Sequence, residues 1–173
     1  GLFKKQGNEY FASKLELILA NCYTQLGHYN QAKEYLNMAR PICEDFDEAI
    51  NVGWLYQLDG HINMHQGNYD NAIKDLRKAN NKFLQYGDLI ESSIQVTQDL
   101  IICLIEREDL DAAGEEVKSL KKLNKRVKEK DKLLFKDIYV AYYDSCRGDL
   151  EIGRLDELFT QLDKLELELN IIK

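Results

Sequence analysis

His61 and His65 stand four residues apart in the stretch HINMH, a spacing that puts two imidazoles on one face of a helix. Such a pair can hold a zinc ion. The zinc-protease pattern, however, needs glutamate after the first histidine, and Ile62 occupies that place. No third ligand follows at a recognisable spacing, so no metal and no other cofactor is expected, and the two rings are read as polar side chains on a groove. A thiolate nucleophile could be assembled from Cys22, Cys43, Cys103 or Cys146 with His28, His61 or His65. Cys22 and Cys103 follow the same periodicity and adjoin the apolar Tyr23 and Leu104, which reads as core, where thiols act as small hydrophobes. The stretch 118–132, KSLKKLNKRVKEKDK, carries eight basic and two acidic residues and could meet phosphate or an acidic partner. It is read here as the solvated outer face of a helix. There is no glycine-rich phosphate loop and no Ser/His/Asp constellation, so no catalytic residue is assigned and the chain is expected not to be an enzyme.

The elements holding these residues follow from composition. The chain has 173 residues, 45 % of them hydrophobic and 31 % charged, the balance of a folded protein. One proline and ten glycines leave little room for turns and favour helices. A net charge of −7 argues against nucleic acid as a partner. No apolar run reaches the roughly 20 residues of a membrane span, and no membrane partner is expected. The four cysteines lack C-x-x-C spacing, and inward-facing thiols on helices fit reduced cysteines in a cytoplasmic setting. Gly1 stands where an initiating methionine would, so the chain is expected to be a piece of a longer protein.

A repeat organises the rest. GHYNQA at 27–32 returns as GNYDNA at 67–72, then as EDLDAA at 108–113 and GDLEIG at 148–153, in steps of 40, 41 and 40 residues. Twelve residues before each closing small residue lie Ala20, Gly60, Ile101 and Ala141, so seven of these eight positions are alanine or glycine. Small residues at matched points of consecutive helices let their backbones approach. Leu15, Leu19, Cys22 and Tyr23, and likewise Ala32, Tyr35, Leu36 and Ala39, keep helical spacing and are expected to face the core. Gly27, Gly67 and Gly148 mark left-handed turns, with Asn30, Asp70 and Asp111 suited to starting the next helix. Tyr29, Tyr69, Leu110 and Leu150 should plug the elbows. Each unit is thus a hairpin of helices about 16–18 residues long. A match between 6–14 and 86–94 places Gly7 at a further handover between hairpins, with Leu2 and Phe3 as the tail of a preceding helix.

GHYNQAKEYLNMA and GNYDNAIKDLRKA resemble the second half of the tetratricopeptide repeat, in a long-helix form with a period near 40 residues. The resemblance weakens where Glu108 replaces the turn glycine and where Gly153 and Thr160 replace alanines; Asp59, Asn63 and Asp144 also fall on usually apolar positions. It implies an all-α fold, a right-handed superhelix or α-solenoid of about four stacked hairpins, in one array over 1–173. The expected repeats are 8–46, 47–87, 88–128 and 129–173.

The resemblance also implies that the first helix of each unit lines a concave groove. That places Lys14, Leu17, Asn21, Thr24 and Gln25 there, then Trp54, Gln57, His61, Met64 and His65. The third unit adds Gln95, Gln98, Ile102, Ile105 and Glu106, and the fourth Phe135, Ile138, Tyr142, Ser145 and Cys146. The expected function is non-catalytic binding of a peptide or protein segment, as the interaction or sensor part of a larger cytoplasmic signalling regulator. The carboxylate clamps of this family need several basic groove residues, and Lys14 alone is present. The alternative is a structural segment between sensor and output domains. It rests on the heptad Leu155, Leu158, Leu162, Leu165, Leu169 and Ile172, which could form a homodimer.

Overall fold

The computed structural model describes residues 2–87, 89–127, 130–151 and 153–171; the side chains of 2–7, 130–135, 155, 162 and 165–171 lie outside that description. Among the described residues there are eight helices and no strand. They are α1 (Leu2–Gln25), α2 (Tyr29–Phe46), α3 (Ala49–His65), α4 (Tyr69–Tyr86), α5 (Ile90–Glu106), α6 (Leu110–Asn124), α7 (Lys130–Arg147) and α8 (Arg154–Ile171). Each helix packs on the next. In addition α1 touches α3, α3 touches α5 and α5 touches α7, while α2, α4 and α6 make no contact with one another. The odd-numbered helices therefore lie closer together than the even-numbered ones, and the stack curves with them on its inner side. This is an all-α solenoid of nested hairpins.

The elbows are built alike. Gly27 N–H donates to Thr24 O at 3.0 Å and His28 N–H to Tyr23 O at 2.9 Å; Gly67 and Asn68 do the same to Met64 O and Asn63 O at 3.0 and 2.8 Å. This pair of bonds satisfies carbonyls that the end of a helix leaves open, and it requires a left-handed residue. Glu108 supplies one without being glycine, at φ 59°, and keeps both bonds, to Ile105 O and from Asp109 N–H to Leu104 O. The helices start at Tyr29, Tyr69 and Leu110, one residue before the expected Asn30, Asp70 and Asp111. Asp109 is the residue that caps, its carboxylate accepting from Ala112 N–H at 3.1 Å. Tyr29, Tyr69, Leu110 and Leu150 pack into the cores beside these elbows, as expected.

The small residues do close the hairpins. Ala20, Ala32, Gly60 and Ala72 are buried, and a Cβ on Gly60 would lie 2.7 Å from Leu76 Cγ. Leu36, Leu76 and Phe83 fill the space between hairpins, each burial contributing about 1.5–3 kcal/mol before entropy. Two of the three polar groups at apolar positions are paired. Asp59 meets Arg40, and the buried Asn63 donates to Asp75 at 3.1 Å while accepting from Lys33 Nζ at 3.0 Å.

Four expectations fail. Leu15, Leu19 and Cys22 point outward; the buried face of α1 is Ser13, Leu17, Ala20 and Thr24. With Leu15 and Leu19 on one side and Leu17 and Ala20 on the other, α1 has two apolar stripes, and spacing cannot choose between them. Cys22 is accordingly not core, unlike Cys103. No turn occurs at Gly7, which lies within α1; glycine permits a left-handed turn without imposing one. In the fourth unit α8 begins only at Arg154, so Gly153 ends the connection at φ 91° and Leu158, not Gly153, packs on Ala141. Of the heptad, Leu158 is thus spent on α7; Ile172 lies outside the described residues, as do the side chains of Leu155, Leu162, Leu165 and Leu169. Within the basic stretch, Lys118, Lys121, Lys122, Lys125 and Arg126 are exposed, as a solvated face would be, and 128–132 lies outside the described side chains.

Candidate binding cleft

A cleft of about 700 Å³ opens on the inner side of the stack, between α1, α3, α5 and α7. Helix α1 gives it Leu17, Ile18, Asn21, Thr24 and Gln25; α3 gives Trp54, Gln57, Leu58 and His61; α5 gives Ser92, Gln95, Gln98 and Asp99; α7 gives Tyr139. Residues three, four and seven apart recur on α1, α3 and α5 because one face of each turns to the hollow. Nine of the expected groove side chains meet here: Leu17, Asn21, Thr24, Gln25, Trp54, Gln57, His61, Gln95 and Gln98.

The others lie elsewhere. Lys14 sits over the Tyr10 ring at 4.3 Å and pairs with Glu48 at 3.7 Å. His65 stacks on Tyr29, ring centroids 5.5 Å apart. Ile102 is half-buried, and Tyr142 donates to Glu106 at 3.4 Å, as Tyr69 does at 3.5 Å. The side chain of Phe135 lies outside the described residues.

The wall has two chemistries. Five carboxamides line it, and Gln57 Nε2 donates to Gln95 Oε1 at 3.4 Å across the gap from α3 to α5. An amide pair this long and exposed exchanges readily for bonds to an incoming backbone. Trp54, 45 % exposed, and Ile18, Leu58 and Leu17 supply apolar area beside them. Asp99 is the one ionisable acid on the wall among the described residues, and no lysine or arginine lines it. Its carboxylate stands 3.4 Å from His61 Nδ1. Burial pushes the Tyr139 phenol up, and the charge of Asp99 adds to the effect.

Sequence reasoning missed Asp99, Ser92, Tyr139, Ile18 and Leu58. The one signal for Asp99 is that it is the single charged residue between Glu91 and Glu106 on α5. Around His61 and His65 no group of three metal-ligating side chains forms among the described residues. No described helix is long and apolar enough to cross a membrane.

A family model described as tetratricopeptide repeat matches residues 17–39 and 55–81, the two hairpin stretches whose elbows keep glycine at 27 and 67. No curated protein and no solved structure matches the chain significantly.

Proposed function

We propose, the chain being a tetratricopeptide repeat protein, that it is a non-catalytic module holding an extended peptide or protein segment along the inner cleft. Repeats of this kind mediate contacts between proteins, and in our reading the cleft is the part of this one that does so. The observation that carries the reading is the pairing of five carboxamides with a half-exposed Trp54 in one hollow. An extended peptide entering it loses hydrogen bonds to water, and amides on the wall replace them. Trp54 offers the apolar anchor on which such interfaces concentrate their energy. The absence of basic groups from the described wall turns it away from acidic C-termini; Asp99 favours a peptide with a basic or hydroxyl side chain at that point.

The biological setting we propose is the interaction or sensor part of a larger cytoplasmic regulator. A peptide display library panned on the chain tests the binding role, with affinity followed by Trp54 fluorescence. Gln57→Ala and Gln98→Ala should each weaken selected peptides about fivefold, the worth of one hydrogen bond. Unchanged affinity in both variants would remove the cleft as the site.

A further inference from the structure

Two side-chain contacts set the register between α3 and α5. Gln57 Nε2 donates to Gln95 Oε1 and His61 Nδ1 stands beside Asp99 Oδ2, both at 3.4 Å and both joining residues 38 apart in the chain. The same offset sets Trp54 against Ser92, and these two also line the cleft. The seam is therefore a ladder of three rungs: apolar and half-exposed at Trp54, carboxamide at Gln57 and Gln95, acidic at Asp99.

Asp99 is short of positive charge. Its side chain is only 15 % exposed, and His61 beside it brings no charge while its ring is neutral. The described groups on which the Asp99 charge acts are Tyr139, Cys103 and His65, none of them lysine or arginine. A carboxylate held this far from water is costly without a counter-ion, so a cation that a ligand delivers to it is held strongly. The net charge of −7 draws cations toward the chain as a whole.

We propose that the cleft reads a two-point motif: lysine or arginine on Asp99 and an apolar side chain on Trp54, three or four positions apart in an extended segment. This rests on the inner cleft being the peptide site. The spacing comes from the ladder. Trp54 and His61 are seven residues apart on α3, about 10 Å along its axis. An extended chain advances about 3.3 Å per residue, so three residues cover that length and the step across to α5 takes up part of a fourth. Gln57 and Gln95 lie between the two points, where their amides answer the N–H and C=O groups of the intervening backbone. A neutral hydrogen-bonding side chain at the basic position leaves the carboxylate uncompensated, so serine or glutamine is the weaker occupant there.

The test starts from peptides selected on the intact chain and kept if Gln57→Ala or Gln98→Ala weakens them, which marks cleft binders. Each should carry lysine or arginine three or four positions from an aromatic or aliphatic residue. Replacing that arginine by citrulline, or the lysine by norleucine, should cost at least about tenfold in affinity, the worth of a charge-assisted bond. On Asp99→Asn, which keeps the size of the side chain, the same replacement should cost less than about twofold, with the circular dichroism unchanged. Inserting two glycines between the two residues should weaken binding as much as citrulline does. Cleft binders that lack the basic residue, a citrulline penalty that survives in Asp99→Asn, or indifference to the glycine insertion overturns the motif while leaving peptide binding in place. If no selected peptide responds to either glutamine variant, the cleft is not the peptide site and the motif falls with it.

Discussion

The Nε2 atoms of His61 and His65 face each other at 2.9 Å across one turn of α3. At that distance one ring donates and the other accepts, so a single proton serves both. Burial lowers the pKa of His65 from its ordinary 6.5, and positive charge on His61 lowers it further, against a smaller opposing pull from Asp99. A histidine whose folded pKa is depressed costs nothing above its unfolded value. The penalty grows as pH falls from 6.5 through the folded value, where the proton binds the unfolded chain more readily. An NMR titration should therefore place the His65 midpoint below 6.5. Part of the stability lost between about pH 7 and about pH 5 should disappear in His65→Gln. A midpoint at or above 6.5 refutes this account of the pair.

Glu108 occupies a left-handed turn that glycine fills in the other elbows. A side chain there costs about 1 kcal/mol, set against the entropy glycine loses on folding. Glu108→Gly should raise the urea midpoint by the equivalent of about 0.5–1 kcal/mol, and Gly67→Ala, at φ 74°, should lower it. A destabilised Glu108→Gly variant would mean that the carboxylate makes a contact outweighing the strain.

In an exposed helix, replacing glycine with alanine stabilises by roughly 1 kcal/mol. At Gly60 the reverse is expected, since the added methyl would approach Leu76 Cγ to 2.7 Å and Leu76 N to 3.2 Å. Overpacking of this kind costs about 1–3 kcal/mol. Thermal unfolding of Gly60→Ala measures it, and an unchanged or higher Tm would mean that α3 and α4 can part without penalty.

The cysteines should divide in pairs. Cys22 and Cys146 are exposed, while Cys43 and Cys103 are buried. Burial pushes the Cys103 thiol up to about 12 and raises that of Cys43 as well, so neither supplies thiolate at neutral pH. Ellman's reagent at about pH 8 should modify two thiols quickly and the rest only in denaturant. Mass spectrometry showing early labelling of Cys103 would contradict the packing of α4 on α5.

What the sequence made legible follows physical constraint. The elbows could be read because a helix end demands a left-handed residue, and Gly27 and Gly67 advertise it. The contact at Gly60 could be read because close backbones exclude side chains. The outward row on α1 could not, since its spacing suits a core face equally well and burial depends on what lies opposite. The fourth unit misled for another reason: three residues usually separate the helices of a hairpin, and six, 148–153, do so there. The cleft was placed through family resemblance, which names fixed positions on each helix. It could not supply Asp99 and Tyr139, whose presence on the wall depends on how far the stack bends.

Among the described residues, contacts join only helices that are neighbours or next-but-one along the chain. Those residues tie α1 to α8 only through the ladder between them, so the two ends can loosen independently. Hydrogen exchange should run as a gradient, slowest in α3–α5 and faster toward both tips. A ligand bridging α1, α3, α5 and α7 would then act as a brace, slowing exchange along the whole spiral rather than at the points it touches.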